Sequence, residues 1–162
     1  AVAYTSFPKC EGMRAMAMTS EDLMKMSQDE LDALFTASPA GTIPDGEADG
    51  LAVIAPGTTF TDEIAKAINF FAWKGKVFDA KHGFLRNEIL PFGVKAIVAK
   101  VYKDKSWLDG KECIVLDYSE TSIVAQWIRD EIRQVAPTLY LGKVYWNKKR
   151  LIDFVLEFKT KA

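Results

Sequence analysis

Arg150-Leu-Ile-Asp-Phe-Val-Leu-Glu-Phe158 decides the fold class. On an extended chain Ile152, Phe154, Leu156 and Phe158 point one way and Asp153 and Glu157 the other, the alternation of a sheet with one wet face. The preceding segment, Leu139–Trp146, joins it through Asn147-Lys148-Lys149 and has the length of a hairpin partner. Further back, Lys95–Lys103 and Lys111–Tyr118 flank Asp109-Gly110, a dipeptide suited to tight hairpins. Lys76–Ala80 and Phe84–Leu90 flank His82-Gly83 in the same way. Seven or so strands in neighbouring order predict an α+β, mainly β chain: an antiparallel up-and-down barrel, or a strongly curved sheet, with N-terminal helices. Closure removes exposed edges, and a barrel of about eight strands can hold one small ligand.

The segment Thr121–Ala136 reads in two ways. Ile123, Val124, Trp127, Ile128 and Ile132 fit a helical stripe, whereas Arg129–Val135 before Pro137-Thr138 suits a hairpin arm; the reading adopted is a short helix over Ser122–Trp127, then a strand through Val135. Upstream, Thr61-Asp62-Glu63 opens a helix with Ile64, Ala67, Ile68 and Phe71 at helical spacing and acids where the helix dipole favours them. Leu51–Ala55 reads as a short strand, and the glycine-rich, acidic Gly41–Gly50 as a loop. Ser27-Gln28-Asp29-Glu30 is a capping box that starts the stripe Leu31, Leu34, Phe35. Residues 1–18 read as a tail and 19–162 as a single domain, its first helix in two pieces.

Composition narrows the function classes. Lys and Arg total 21 against 22 Asp and Glu, a net charge of −1, so the basic stripe that releases counterions from nucleic acid is missing and no such partner is expected. No apolar run is long enough to span a bilayer and no signal peptide is legible; a soluble chain, cytoplasmic rather than secreted, is expected. Cys10 and Cys113 are expected as free thiols, the second buried. With one histidine, His82, and cysteines outside ligand spacing, no metal is expected. Asp45, Glu47 and Asp49 alternate without the calcium-loop pattern and read as solvated. A nucleophile elbow and a glycine-rich phosphate loop are both missing, so no cofactor is expected.

What remains is polar residues set in apolar strands. Asp117 and Tyr118 end one run; Arg129, Asp130, Glu131 and Arg133 lie in another; Tyr140 and Tyr145 follow. Half of them face the interior if these are barrel strands, where an unpaired charge is expensive. An Asp117–Arg129 or Asp130–Arg133 pair in an aromatic cavity could anchor a carboxylate, carbonyl or hydroxyl; the alternative is an exterior ladder of opposite charges. Asp117 or Asp130 is the candidate general base, with Arg129 and Tyr118 as groups that polarise a carbonyl. Phe78, Arg86, Tyr102, Trp107, Trp127, Arg133, Tyr140, Trp146 and Phe154 are the candidate ligand-binding residues, with Phe84, Phe92 and Phe158 nearby in type. The aromatics either line a cavity or fill a solid core, and both remain open.

Trp73-Lys-Gly-Lys76-Val-Phe78, and Asp130-Glu-Ile-Arg133-Gln-Val135 followed by Leu139-Tyr-Leu141-Gly142, resemble segments of bacterial lipocalin-like proteins. The Gly-x-Trp-x-Gly signature of such barrels is absent. The resemblance implies a β-barrel open at one end around a small hydrophobic molecule: a lipid, an aromatic or a terpenoid. The alternative is a cofactor-independent lyase, isomerase or cyclase acting on a hydrophobic carbonyl compound in the same cavity. A third reading is a protein-interaction module built on the Met-rich helix Met18–Phe35.

Overall fold

A computed structural model describes residues 17–71, 76–87, 97–123 and 125–160. Along the chain run α1 (Ser20–Met24), α2 (Gln28–Ala37), β1 (Gly46–Val53), α3 (Asp62–Phe71), β2 (Lys76–Asp79), β3 (Phe84–Asn87), β4 (Ile97–Lys105), β5 (Glu112–Asp117), β6 (Ile128–Ala136), β7 (Leu139–Trp146) and β8 (Lys149–Phe158). Each strand is antiparallel to the next, and β8 returns to β1, with Ala48 opposite Phe158 and Val53 opposite Asp153. The result is a closed eight-stranded barrel without edges.

Local chemistry explains most elements. Ser27 caps α2 as the capping box requires: its hydroxyl accepts from the Glu30 amide at 3.3 Å, and the Glu30 carboxylate accepts from the Ser27 amide at 2.8 Å. Asn147 and Lys148 have φ of 46° and 69°, so β7 and β8 meet in a two-residue type I′-like turn whose twist matches the strands. The β4–β5 turn is wider than Asp109-Gly110 alone and spans Ser106 to Lys111, with the Ser106 amide donating to the Lys111 carbonyl.

Two expected elements differ. The helix over Ser122–Trp127 does not form; the described residues there are turns and bends. Ile123 is 90% and Trp127 54% exposed, while Ile128 and Ile132 of the same stripe are buried as inward residues of β6, and helical spacing without burial does not hold a short helix. The strand half of that reading is realised in β6. In the expected loop Gly41–Gly50, strand β1 begins at Gly46 because β2 and β8 supply hydrogen-bonding partners on both sides. Trp73 and Phe92, and parts of the β2–β4 hairpin ends, lie outside the described residues.

Two apolar clusters sit on either side of the barrel wall. Inside, Phe78, Leu85, Ile114, Leu116, Ile132 and Phe154 are buried together with further inward side chains. Outside, Leu23, Leu31 and Phe35 of α1 and α2 cover Cys113, Val115, Leu141 and Val155. Leu23, Leu31 and Phe35 of the helix pair are therefore covered by the barrel itself, while Met24 stays 45% exposed. Ile64 and Ala67 of α3, which packs against β1 and β8, are buried in the inner cluster. Near the start of β1, Phe158 meets Phe78 and Tyr140 edge-on, at 5.2 and 5.4 Å, and the Tyr140 hydroxyl donates to the Thr42 carbonyl at 2.9 Å.

The lumen is packed closely enough to test. Gly142 faces inward opposite Phe154, and a Cβ there would lie 2.2 Å from the ring. Gly142→Ala is expected to cost about 1–3 kcal/mol in urea unfolding, because the Phe154 ring has to leave its place against Gly142. An unchanged midpoint would mean that Phe154 has room to spare.

Candidate functional site

The β2–β3 register puts Lys76 opposite Asn87, both pointing inward among the apolar residues of the lumen. Tyr118, immediately after β5, and Asp130 of β6 point to the same interior. The Lys76 ammonium donates to the Asn87 side-chain oxygen at 2.6 Å, and the Asn87 amide nitrogen donates to the Tyr118 hydroxyl at 3.4 Å. Lys76 and Asn87 are 1% and 3% exposed; Tyr118 and Asp130 are fully buried. Neither carboxylate oxygen of Asp130 finds a hydrogen-bond partner of good geometry among the described residues.

An unsatisfied buried polar group costs about 1–3 kcal/mol, and a charged one more, so such an atom calls for an explanation. Burial pushes the Asp130 carboxyl well above its usual range, opposed by the positive charge of Lys76 and by the Tyr118 hydroxyl. The same burial lowers Lys76 to about 8, with Asp130 opposing. Tyr118 is raised by burial and then by the Asp130 charge. A lumen of this kind favours the neutral forms of acid and amine.

The other expected polar residues face outward. Asp117 and Arg129 are direct cross-strand partners on the outer wall. Asp117 accepts from the Tyr102 hydroxyl and the Ser119 amide, both at 2.9 Å. Arg129 donates to Glu131 at 3.2 Å and to the Lys105 carbonyl at 3.0 Å, and its guanidinium lies 4.4 Å from the Trp107 ring centre. Fully buried Glu131 accepts from the Ser106 hydroxyl at 2.6 Å and the Trp107 amide at 2.8 Å. These groups frame a surface cleft of about 260 Å³ that includes Trp107, Asp117, Trp127 and Arg129. Asp117 is taken up by Tyr102 and Ser119, and Arg129 by Glu131 and the Lys105 carbonyl, so these two side chains brace the outer wall around the β4–β5 turn. Arg86 lies on a second surface cleft, of about 390 Å³, with Val77, Phe84 and Val98.

The pairs expected inside an aromatic cavity are therefore not formed there. Asp117–Arg129 is the exterior ladder of the alternative reading. Asp130 and Arg133, three apart on β6, necessarily face opposite sides of the wall. Arg133 is buried on the outside, beneath α2, and belongs to the architecture. Of the expected aromatics, Phe78, Tyr140 and Phe154 are buried inside and Trp146 packs against the same cluster. Trp107 and Trp127 are about half exposed.

Sequence reasoning missed Lys76 and Asn87 as site residues. The signal was present: both share the inward phase of β2 and β3, with Phe78 and Leu85 as their apolar neighbours. It also missed the network anchoring α2, in which buried Lys143 donates to Asp32 at 2.6 Å and Asp153 at 2.9 Å while Arg150 makes a bidentate pair with Asp32. Among the described residues no cluster of His, Cys, Asp and Glu could hold a metal ion. His82 is exposed beside Asp79 at 2.7 Å. Among the described residues, no helix is long and apolar enough to cross a membrane.

No family model matches the chain. No curated protein matches it either. A solved structure, "Crystal structure of protein from Thermomonospora curvata", superposes with a TM-score of 0.58 at 14% identity, covering 84% of this chain and 90% of that one. At that identity the likeness is one of fold: a closed eight-stranded antiparallel barrel with a few helices, the architecture found here.

Proposed function

We propose that this chain binds a small, mostly apolar molecule in the lumen of its barrel, as the lipocalin-like resemblance implies, and that Asp130, Tyr118, Asn87 and Lys76 hold the guest's polar group. The observation that carries this reading is the Asp130 carboxyl, fully buried in an apolar interior beside Tyr118 and Lys76, with neither oxygen in a hydrogen bond of good geometry. A pocket that is mainly apolar with a few convergent polar groups is the usual form of a small-molecule site. A guest that donates to Asp130 relieves its desolvation, and this binding energy is withheld from a plain hydrocarbon.

Native mass spectrometry and thermal shift with fatty acids, aromatic acids, alcohols and aldehydes test the reading. At least one compound is expected to raise the melting temperature, and Asp130→Asn or Tyr118→Phe to weaken it about tenfold, the loss of one buried hydrogen bond at about 1.4 kcal/mol. If none of the compounds is retained and none shifts the melting temperature, the reading fails.

A second reading is an acid–base enzyme at the same quartet, a lyase, isomerase or cyclase. It is favoured by the opposed displacement of Asp130 and Lys76, which brings an acid and an amine toward the range where both can exchange protons near neutrality. Asp130→Asn leaving turnover of an identified substrate untouched would remove it.

A further inference from the structure

We propose that the outer-wall cleft of about 260 Å³ beside Trp127 is a carbohydrate subsite that takes one pyranose ring of a neutral saccharide. It lies outside the barrel wall, so it stands or falls separately from a guest in the lumen.

Two tryptophans line this cleft and keep about half of their surface in water, Trp107 at 45% and Trp127 at 54%. Their situations differ. Trp107 is held in place: its amide donates to buried Glu131 at 2.8 Å, its ring meets Tyr145 edge-on at 5.2 Å, and the Arg129 guanidinium lies 4.4 Å from its centre. Among the described residues no ring or cation packs on Trp127. Its carbonyl accepts from the Asn147 amide at 3.0 Å, which ties it to the β7–β8 turn on the facing side of the cleft.

The charges at the cleft decide what kind of guest suits the open indole. A cation would seek a tryptophan face, but Arg129 already lies over Trp107 and Lys148 adds a second positive group to the lining. An anion would need guanidinium donors to spare, and those of Arg129 go to Glu131 and the Lys105 carbonyl, with Asp104 at 3.7 Å. Asp117 and Lys148 leave the rim without a net sign. A wholly apolar guest would strip water from this polar rim and return nothing. What fits is a neutral molecule with an apolar face and an edge of groups that both donate and accept. A pyranose ring has that form: its axial C–H bonds lie against the electron-rich face of an indole, and its hydroxyls reach carboxylate, amide and ammonium. Asp117 spends two acceptor sites on the Tyr102 hydroxyl and the Ser119 amide, which leaves about two for neighbouring sugar hydroxyls.

The turn supplies a second, independent observation. Asn147 and Lys148 hold φ of 46° and 69°, and a two-residue turn of this kind is relaxed with glycine in the second place. A lysine kept there at a backbone cost adds to the cleft an ammonium that glycine lacks.

The test titrates the full chain with cellotriose, maltotriose and tri-N-acetylchitotriose, and with choline and a polyproline peptide as guests of other chemistry. Tryptophan fluorescence and saturation-transfer NMR read the binding. At least one trisaccharide is expected to bind, with transfer strongest to the C–H protons of a single ring. Trp127→Ala is expected to weaken it at least about tenfold, Trp127→Phe distinctly less because an aromatic face remains. Lys148→Gly is expected to weaken it about threefold while raising the urea midpoint, a combination that a purely structural turn does not give. No transfer to any of the three sugars overturns the proposal, as does sugar binding that survives Trp127→Ala unchanged. Trp127-dependent binding of choline or polyproline without sugar binding overturns it too. The transfer is measured on the wild-type chain, so the result does not depend on any variant folding.

Discussion

Arg133→Met is expected to lower the unfolding free energy by about 3–5 kcal/mol, the usual cost of removing one partner from a buried charged network. All five N–H donors of this guanidinium are engaged. Two parallel bonds of 2.7 Å go to Asp109, one of 2.8 Å to the Phe35 carbonyl at the end of α2, and two more to the carbonyls of Lys111 and Glu112. The guanidinium also lies 4.5 Å from the Phe35 ring centre. One side chain on β6 thus ties together the end of α2 and the β4–β5 turn. Arg133→Lys is expected to recover little, since an ammonium cannot reproduce the planar fork. Urea unfolding followed by circular dichroism reads both variants; a loss below about 1 kcal/mol for Arg133→Met would show that the bonds are not holding α2 in place.

The double replacement Lys76→Met with Asp130→Val is expected to do the opposite and stabilise the protein by about 1–4 kcal/mol at pH 7, while abolishing guest binding. Replacing a buried charged pair by apolar side chains of similar size is often neutral or stabilising, because desolvation exceeds the mutual attraction. A polar pair kept at the expense of stability marks a functional site. The pH profile carries the sign. Asp130 is raised in the fold above its ordinary 3.8, so its contribution is full below that value and is lost as pH rises through its folded pKa. Lys76 is lowered from 10.5 to about 8, so its contribution is full above 10.5 and is lost as pH falls through about 8. Both groups therefore cost stability in the interval between, and their removal is expected to flatten the profile there, each group accounting for a slope of up to about 1.36 kcal/mol per pH unit. A double variant less stable than the wild type by more than about 1 kcal/mol would make the pair a structural one.

Several elements were legible because their causes are local. The capping box at Ser27, the acid-led helix α3 and the alternation in β8 each follow from residues within a few positions of one another. The β7–β8 turn belongs with them, although it was expected over Asn147-Lys148-Lys149 and takes only the two residues at positive φ, Asn147 and Lys148. β1 was half hidden, since Gly46–Gly50 carries the composition of a loop and becomes strand only between β2 and β8. The failed helix at Ser122–Trp127 is the converse case, a helical stripe whose Ile128 and Ile132 are buried by the barrel as strand residues while Ile123 and Trp127 stay exposed.

From its residue order alone, this chain is bound to alternating strands with helices ahead of them, because a period of two in side-chain polarity is a property of neighbouring residues. Which charges share a compartment was decided by barrel closure. Asp117 and Asp130 look alike in sequence, yet one braces the outer wall with Arg129 and the other sits beside Tyr118 within the charge field of Lys76. A one-residue change of phase moves a side chain across the wall, and only the paired register of all eight strands determines that phase.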